Sequence, residues 1–508
     1  MQKTELPCEP EALVQKLMGL YRGFREGSRM IEEKYARNHR LYLEQTLGRE
    51  SGEAPRTGTP VLYATYRQEL SDAMELIPEA IFLARKAGDE QRAAKFTALS
   101  RASLERMGFA EEYLRVCEYR ARYGTGYTEC SMDGGEPLIR AFDPRAIFPD
   151  PLCEDIQEGR ALIKLSLHPK EHYERNYPEA FERMRPGDEP SGMPLADGEL
   201  IPLLSFYLKE RQGGKAALHL IKIAGGELLY DSRAEHPNGL YAHGEYPFVA
   251  WHYDRLPGTP WGFGSFDYLA PVQGYIDKLD SLVMRNLARA AKPRLIVSRS
   301  SGIDPEQLRD ENEEIIEADR LDESALRWQP SAQMPGYAIE MLNLKAEMLK
   351  RESGENGVSR GESGAVKGLS GAAISMLQAA GSKRANLSQF AINNAFMRMV
   401  RQLTSNLIEH GDAELSYRDG ESYLSLGPEY AGAGWEFDLE VRLQRMPQYQ
   451  SVYQNQLLMQ LVQMQVLPAR AALELMDIED KASILSLADR EAQEKERRSE
   501  NHAETEAV

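Results

Sequence analysis

Cysteine is almost missing from this chain. Only four occur among 508 residues, Cys8, Cys117, Cys130 and Cys153, and no two are closely spaced. That excludes a disulfide framework and a zinc knuckle and predicts reduced thiols. Long apolar runs are missing too. No stretch approaches the ~20 residues of a membrane helix, and the opening Met1-Gln2-Lys3-Thr4-Glu5-Leu6-Pro7 lacks the apolar centre of a signal peptide. The expectation is a soluble chain, synthesised and used in the cytoplasm, with no membrane contact. Positive charge is in deficit, with 61 Lys and Arg against 79 Asp and Glu and a formal net charge of -18. This argues against tight binding of nucleic acid through a basic surface, because phosphate neutralisation supplies most of non-specific affinity. Ser-His-Asp sets, nucleophile elbows and dinucleotide fingerprints are absent as well.

What is present is enough apolar material for more than one core. Hydrophobic residues make up 42% and charged residues 28% of the chain, the mean hydropathy is -0.51, and the length predicts division into several units. The N-terminal third reads as helix. Leu13, Leu17, Leu20 and Tyr21 recur at helical spacing within Glu11 to Leu47, a turn-rich loop follows from Ser51 to Pro60, and helices are expected over Val61 to Lys86, kinked at Pro78, and over Glu90 to Arg122. From Gly124 the period shifts to alternation. Tyr127 to Met132 and Leu138 to Phe142 flank Asp133-Gly134-Gly135 as a hairpin, and Leu162 to Leu167 is a further strand. Leu203 to Lys209, Leu218 to Ile223 and Glu227 to Tyr230 form a meander, with Glu171 to Arg185 reading as a helix before it.

In the second half, Phe266, Leu269, Val272, Ile276, Leu279, Val283 and Leu287 mark a helix from Ser265 to Lys292, with Pro293 as its stop. Arg285, Arg289 and Lys292 lie in its last turns, where cations complement the helix dipole. Short apolar runs between Arg294 and Gly336 read as strands. Asp310 and Asn312 have the spacing that opens an EF-hand loop, but its Gly and closing Glu are lacking, so the segment reads as a solvated acidic face. A helix from Tyr337 to Glu352 comes next. The loop after it holds Gly354, Gly357, Gly361, Gly364, Gly368 and Gly371; Lys367 precedes Gly368 rather than Ser or Thr, which breaks a P-loop pattern. Ala372 to Glu409 reads as a long helix interrupted near Gly381. Three strands (Glu414 to Tyr417, Tyr423 to Leu426, Trp435 to Leu443) are expected to complete one small sheet, followed by helices Tyr449 to Val466, Ala469 to Met476 and Lys481 to Arg498 and a polar tail.

One short motif points to catalysis. His168-Pro169-Lys170-Glu171-His172 spells the H-x-x-E-H of inverted zinc proteases, whose chemistry needs both histidines on one helical face. Here His168 closes a strand and Pro169 suits a first helical position, so His168 falls at the cap.

The order of the central features resembles a portal protein, the head-tail connector of tailed double-stranded DNA bacteriophages. The resemblance rests on Ala141 to Pro151, where a strand ends in an Asp-Pro corner, and on Tyr246-Pro247-Phe248, Gly262-Phe263-Gly264 leading into a helix with Gln273 in its first turns, Pro293, and the helix opened by Ser370-Gly371-Ala372. It implies an α+β portal fold: a mixed α/β wing over residues 1–264, a stem helix over 265–293, a small β-containing clip over 294–336, a second stem helix over 337–353, a tunnel loop over 354–371, a tunnel helix and wing completion over 372–445, and a helical crown with polar tail over 446–508. It further implies a homo-oligomeric ring, a dodecamer, at one capsid vertex of the virion, assembled in the host cytoplasm. Double-stranded DNA would pass through without sequence specificity during packaging and ejection, and the partners would be the large terminase, head-tail connector proteins, the major capsid protein and scaffolding proteins. No catalysis, cofactor or metal is implied. Arg285, Arg289, Lys292, Arg360 and Lys367 become candidates for facing DNA, and Arg294, Ile296, Ile316 and Trp328 for the clip. An acidic wall suits such a conduit, since it repels phosphates and lets DNA slide. The alternatives are a zinc-dependent hydrolase centred on His168, Glu171 and His172, and a non-channel structural adaptor.

Overall fold

A computed structural model describes residues 9–47, 60–75, 77–133, 135–184, 200–212, 215–291, 295–298, 302, 304, 326–328, 336–352, 383–410, 416–419, 422–425, 437–443, 448–464, 466–468, 471–473 and 476. The expected loop over 51–59, the acidic 310–314, Ile315-Ile316, the glycine-rich 354–371, Gly381 and the terminal 481–508 lie outside these residues.

Helix α1 (Pro10–Leu47) forms as its periodicity predicts. Leu13, Leu17, Tyr21 and Phe24, each no more than 2% exposed, make one apolar stripe that covers a five-stranded sheet. Helix α2 (Val61–Glu75) is shorter than expected, because the second half of the supposed kinked helix is strand β1 (Pro78–Ala84). Pro78 is the physical reason. The residue before a proline is driven out of the helical region, and proline at the first strand position sacrifices no ladder bond. Beyond it, Ile81-Phe82-Leu83 supplies β-forming side chains, and β1 pairs antiparallel with β16 (Phe437–Leu443), Ala80 opposite Val441. The next expected helix is also divided, into α3 (Glu90–Arg106) and α4 (Phe109–Tyr123). Gly108 turns the chain between them at φ 66, a conformation glycine adopts without strain.

Strands β2 (Thr125–Asp133) and β3 (Glu136–Phe142) form the hairpin that alternation predicts, and β9 (Phe248–His252) joins the other edge of β2 to give the order β3-β2-β9. At the Asp-Pro corner, Asp143 Oδ1 accepts from Arg145 N–H at 2.9 Å and caps a 3-10 turn over Pro144–Ala146. The chain then enters β4 (Ile147–Pro149) and the meander of β5 (Ala161–Pro169), β6 (Leu200–Gln212), β7 (Lys215–Ala224) and β8 (Glu227–Asp231), in sequential order. Between β5 and β6 the expected single helix is two short ones, α5 (Lys170–Asn176) and α6 (Pro178–Phe181), divided before Pro178 for the same steric reason as at Pro78.

A two-residue ladder, β10 (Asp254–Arg255) with β11 (Gly262–Phe263), leads into α7 (Ser265–Ala291). Strands β12 (Leu295–Val297) and β13 (Leu326–Trp328) pair antiparallel beyond it, followed by α8 (Gly336–Glu352) and α9 (Lys383–His410). The three C-terminal strands do not make one sheet: β14 (Ser416–Asp419) and β15 (Ser422–Ser425) form an isolated hairpin, while β16 is drawn to β1 because its Phe437 packs between Phe82 and Phe96. Helix α10 (Gln448–Gln463) follows. Every described ladder is antiparallel and helices cover the sheets, so the fold is α+β. The largest core gathers Tyr113, Trp251, Phe266, Phe396 and Met399 from α4, β9, α7 and α9. Cys117, Cys130 and Cys153 are buried free thiols, and burial raises their pKa above the ordinary value. Among the described residues no helix is long and apolar enough to cross a membrane.

Candidate functional site

Helix α7 leaves the body through a crossing where three backbone segments touch. Gly124, at φ +89, ends α4, and a Cβ there would lie 2.1 Å from Gly262 O; a Cβ on Gly262 would lie 2.5 Å from Gly124 O, and one on Gly264 2.2 Å from Ala121 O. Only glycine fits at these positions, which explains the Gly-x-Gly turn. Lys34 of α1 is lodged beside it. Its Nζ donates to Tyr123 O at 3.2 Å, Gly262 O at 2.7 Å and Asp267 Oδ2 at 3.2 Å. Asp267 in turn accepts from Gly264 N–H at 2.9 Å and from Asn38 Nδ2 at 2.8 Å, while Asn38 also donates to Arg122 O. The last carbonyls of α4 therefore meet donors and a cation, and the first turn of α7 holds an anion, as each helix dipole favours. Burial lowers the Lys34 pKa, against the opposing pull of Asp267.

One turn further, Gln273 is fully buried. Its Oε1 accepts from Leu62 N–H at 3.0 Å, satisfying a donor at the start of α2, and its Nε2 donates to Asp277 Oδ1 at 2.8 Å. Phe266, Leu269 and Ile276 complete the buried face of this half of α7. Toward the end of α7 this stripe is uncovered at Leu287, 55% exposed, and the opposite side of the helix carries Tyr275 and Leu282, 62% and 51% exposed. Helix α8 returns along α7, with Lys345 Nζ 5.9 Å from the Tyr275 ring and Leu349 buried at the root, yet Tyr337 and Leu344 stay largely exposed. Helix α9 is held to the body along its length. Arg120 Nη2 donates to Ser388 Oγ at 3.0 Å, Arg398 pairs with Asp155 at 2.6 Å, Gln402 Nε2 donates to Tyr246 O at 3.0 Å and Ala242 N–H to Glu409 Oε2 at 2.7 Å. Leu387 and Phe390 at its start are exposed.

The structure scatters the candidate residues. Arg285 is exposed near the end of α7. Arg289 belongs to the same helix, its side chain outside what is described, and Lys292 lies beyond the described residues. Ile296, 51% exposed, sits in β12 opposite Arg327, and Trp328 of β13 is opposite Leu295. Arg294, Ile316, Arg360, Lys367 and the glycines Gly354, Gly357, Gly361, Gly364, Gly368 and Gly371 lie outside the described residues. The clamp of Lys34, Asn38 and Asp267 was missed in the sequence. Its partners stand in three distant segments, and only Asp267, an acid in a first helical turn, gave a local signal.

The H-x-x-E-H motif takes a form unlike that of a zinc protease. His168 lies in β5 and His172 in α5, and their rings stack at 4.3 Å and 18°. Stacked rings direct their nitrogen lone pairs side by side instead of toward one point. His168 Nε2 is 3.0 Å from Ser166 Oγ and His172 Nδ1 3.2 Å from Asn176 Nδ2. Among the described residues no group of three His, Cys, Asp or Glu could hold a metal.

A sequence profile of the phage SU10 portal protein family matches residues 212–495, more than half of the chain. The chain belongs to that family. It has a portal or connector role, and the family is structural, not enzymatic. No curated protein matches it in sequence. Among solved structures, a chain of the virion of a native gene transfer agent particle aligns at TM-score 0.40 with 14% identity, covering 85% of this portal and 91% of that chain. A chain from the neck of an empty gene transfer agent particle aligns at TM-score 0.40 and 14% identity over 83% and 90%, and one from the neck of a native particle at 0.38 and 13% over 85% and 92%. Likeness at that level carries no functional weight.

Proposed function

We propose that this portal assembles into a closed homo-oligomeric ring, a dodecamer by family resemblance, at one capsid vertex of the virion, and that double-stranded DNA passes through it during packaging and ejection. The observation that carries the reading is the set of uncovered apolar side chains on α7 and α8, Tyr275, Leu282, Leu287, Tyr337 and Leu344. Side chains of that size, each more than half exposed, need a second surface, and head-to-tail packing of identical helix pairs supplies it and closes into a ring. In this reading α7 and α8 are the stem, the segment around β12 and β13 is the clip that meets the large terminase and later the head-tail connector proteins, and residues 354–371 are the tunnel loop. The sheets other than β12–β13, with α1 to α4, are the wing, in contact with major capsid and scaffolding proteins, and α10 opens the crown. The motor hydrolyses ATP; the portal is its conduit.

Arg285, Arg289 and Lys292 would form a basic belt against an otherwise acidic channel, touching phosphates loosely and screened over about 8 Å at physiological ionic strength. Changing all three to Gln tests this. The expected result is altered DNA retention in filled heads with an unchanged yield of rings. Reduced ring yield with normal DNA handling would instead place the three cations between subunits or on the outer stem.

A further inference from the structure

Strand β9 forms one edge of its sheet, and a single position on that edge is open. The bonds from Cys130 N–H to Pro247 O at 2.7 Å and from Tyr253 N–H to Gly124 O at 2.9 Å, with Val249 opposite Thr128, show that Val249 and Trp251 turn their main-chain groups toward β2. Phe248, Ala250 and His252 therefore turn theirs away, as antiparallel pairing requires. Two of these three are already capped. Gln157 Nε2 donates to Phe248 O at 3.0 Å, and Arg120 Nη2 to His252 O at 3.1 Å. Ala250, half-buried between them, has no partner among the described residues for its N–H or its C=O.

That open position borders a cleft of about 440 Å³ between β9, the turn at Asp155 to Gln157 and α9. On the α9 wall, Arg398, Arg401, Gln402 and Ser405 share one helical face by their spacing. Both carboxylates in the cleft are engaged, Asp155 by Arg398 and Glu245 by Gln402. Arg401 is exposed and has no ion pair among the described residues. Gln402 is 3% exposed, and although its Nε2 is bonded, its Oε1 has no hydrogen-bond partner among the described residues. One wall thus offers a main-chain donor and acceptor, and the other a guanidinium without an ion pair among the described residues. A free strand edge with side-chain recognition beside it is the arrangement that accepts an added strand.

We infer that this cleft binds a short extended peptide segment of another protein, one carrying an acidic side chain. A residue of that segment pairs its C=O and N–H with the N–H and C=O of Ala250, and a carboxylate next to it meets Arg401, which favours planar bidentate contact. The volume holds only a few residues, so the contact is a small docking point. Charged and amide side chains set among Ile156, Val249 and Ile408 distinguish it from the apolar faces of α7 and α8.

The test is fluorescence anisotropy of full-length portal with labelled, end-blocked heptapeptides of alternating Val and Glu. Saturable binding is expected. N-methylation of the central amide should weaken it about tenfold, since a bond into a partly desolvated edge is lost, and replacing Glu by Lys should weaken it several-fold. Arg401→Glu should reverse the preference between the Glu and Lys peptides. Ala250→Pro removes the Ala250 donor but keeps its C=O, at a position where an edge strand tolerates proline, and should weaken the parent peptide several-fold while the N-methylation effect, which reads the other bond, persists. Should Ala250→Pro fail to fold, the N-methylated peptide still decides the matter on the unaltered protein. Absence of saturable binding at millimolar peptide, or binding indifferent to both N-methylation and Arg401→Glu, would overturn the inference.

Discussion

The two halves of α7 have the same apolar period and opposite surroundings. In the first, Phe266, Leu269, Gln273 and Ile276 are fully buried and tied to α1, α2 and α4; in the second, Leu287 on the same stripe and Leu282 on the opposite side are half-exposed. A helix whose pattern outruns its own chain's core is written for a second surface. The root of α7 is thus an intramolecular solution, built from glycine crossings and a buried ion pair. The distal half is left to solvent in the single chain, and the proposed ring would cover it with other copies.

Substitutions should separate the two halves, and the largest effect is expected at the root. Gly264→Ala pushes a methyl group to within 2.2 Å of Ala121 O and should lower stability by about 3 kcal/mol or more, read by urea unfolding. Lys34→Met removes the more buried of the two cations beside an Asp267 side chain that is 5% exposed, leaving Arg37 at 3.3 Å. A loss of about 2–4 kcal/mol is expected, with faster amide exchange in the first turns of α7.

A smaller, pH-dependent effect is expected at Glu69 of α2, whose carboxyl accepts from Tyr253 Oη at 3.1 Å and is pushed up by burial to about 7. A carboxyl raised in the folded state contributes stability that is fully present below the ordinary carboxylate range and lost as pH rises through about 7. Glu69→Gln should therefore leave thermal stability unchanged near pH 4 and raise it by about 1 kcal/mol near pH 8. Least affected of all should be the fold of Leu282→Glu, within about 0.5 kcal/mol of the parent as a subunit. Its assembly into rings should fail.

The same contrast explains what could be read in advance. The β2–β3 hairpin, the meander and α7 were legible because their signals are local: alternation between Tyr127 and Phe142, glycine pairs between strands, and a three-four apolar spacing from Phe266 to Leu287. The Asp-Pro corner at Asp143 and the buried Gln273 were placed by resemblance, and both have the local geometry it implies. Strand β1 was misread as helix because Ile81-Phe82-Leu83 satisfies either period over so short a run, and the choice is made by a partner strand, Phe437 to Leu443, near the other end of the chain. The break at Gly108 was lost inside a long apolar pattern that a single glycine barely disturbs. No sequence period joins Lys34 and Asn38 to Asp267, since ion pairs between distant segments leave no local trace. Of the candidate DNA-facing cations, Arg285 alone has a described side chain, and it lies on the exposed distal half of α7.

The most direct measurement is the mass and end-on image of the purified full-length protein. The account predicts a closed ring with a central opening, in which the distal faces of α7 and α8, including Leu282 and Leu344, are buried against the neighbouring copy. A stable monomer at high concentration in several salts, with those side chains still open to solvent, would contradict it.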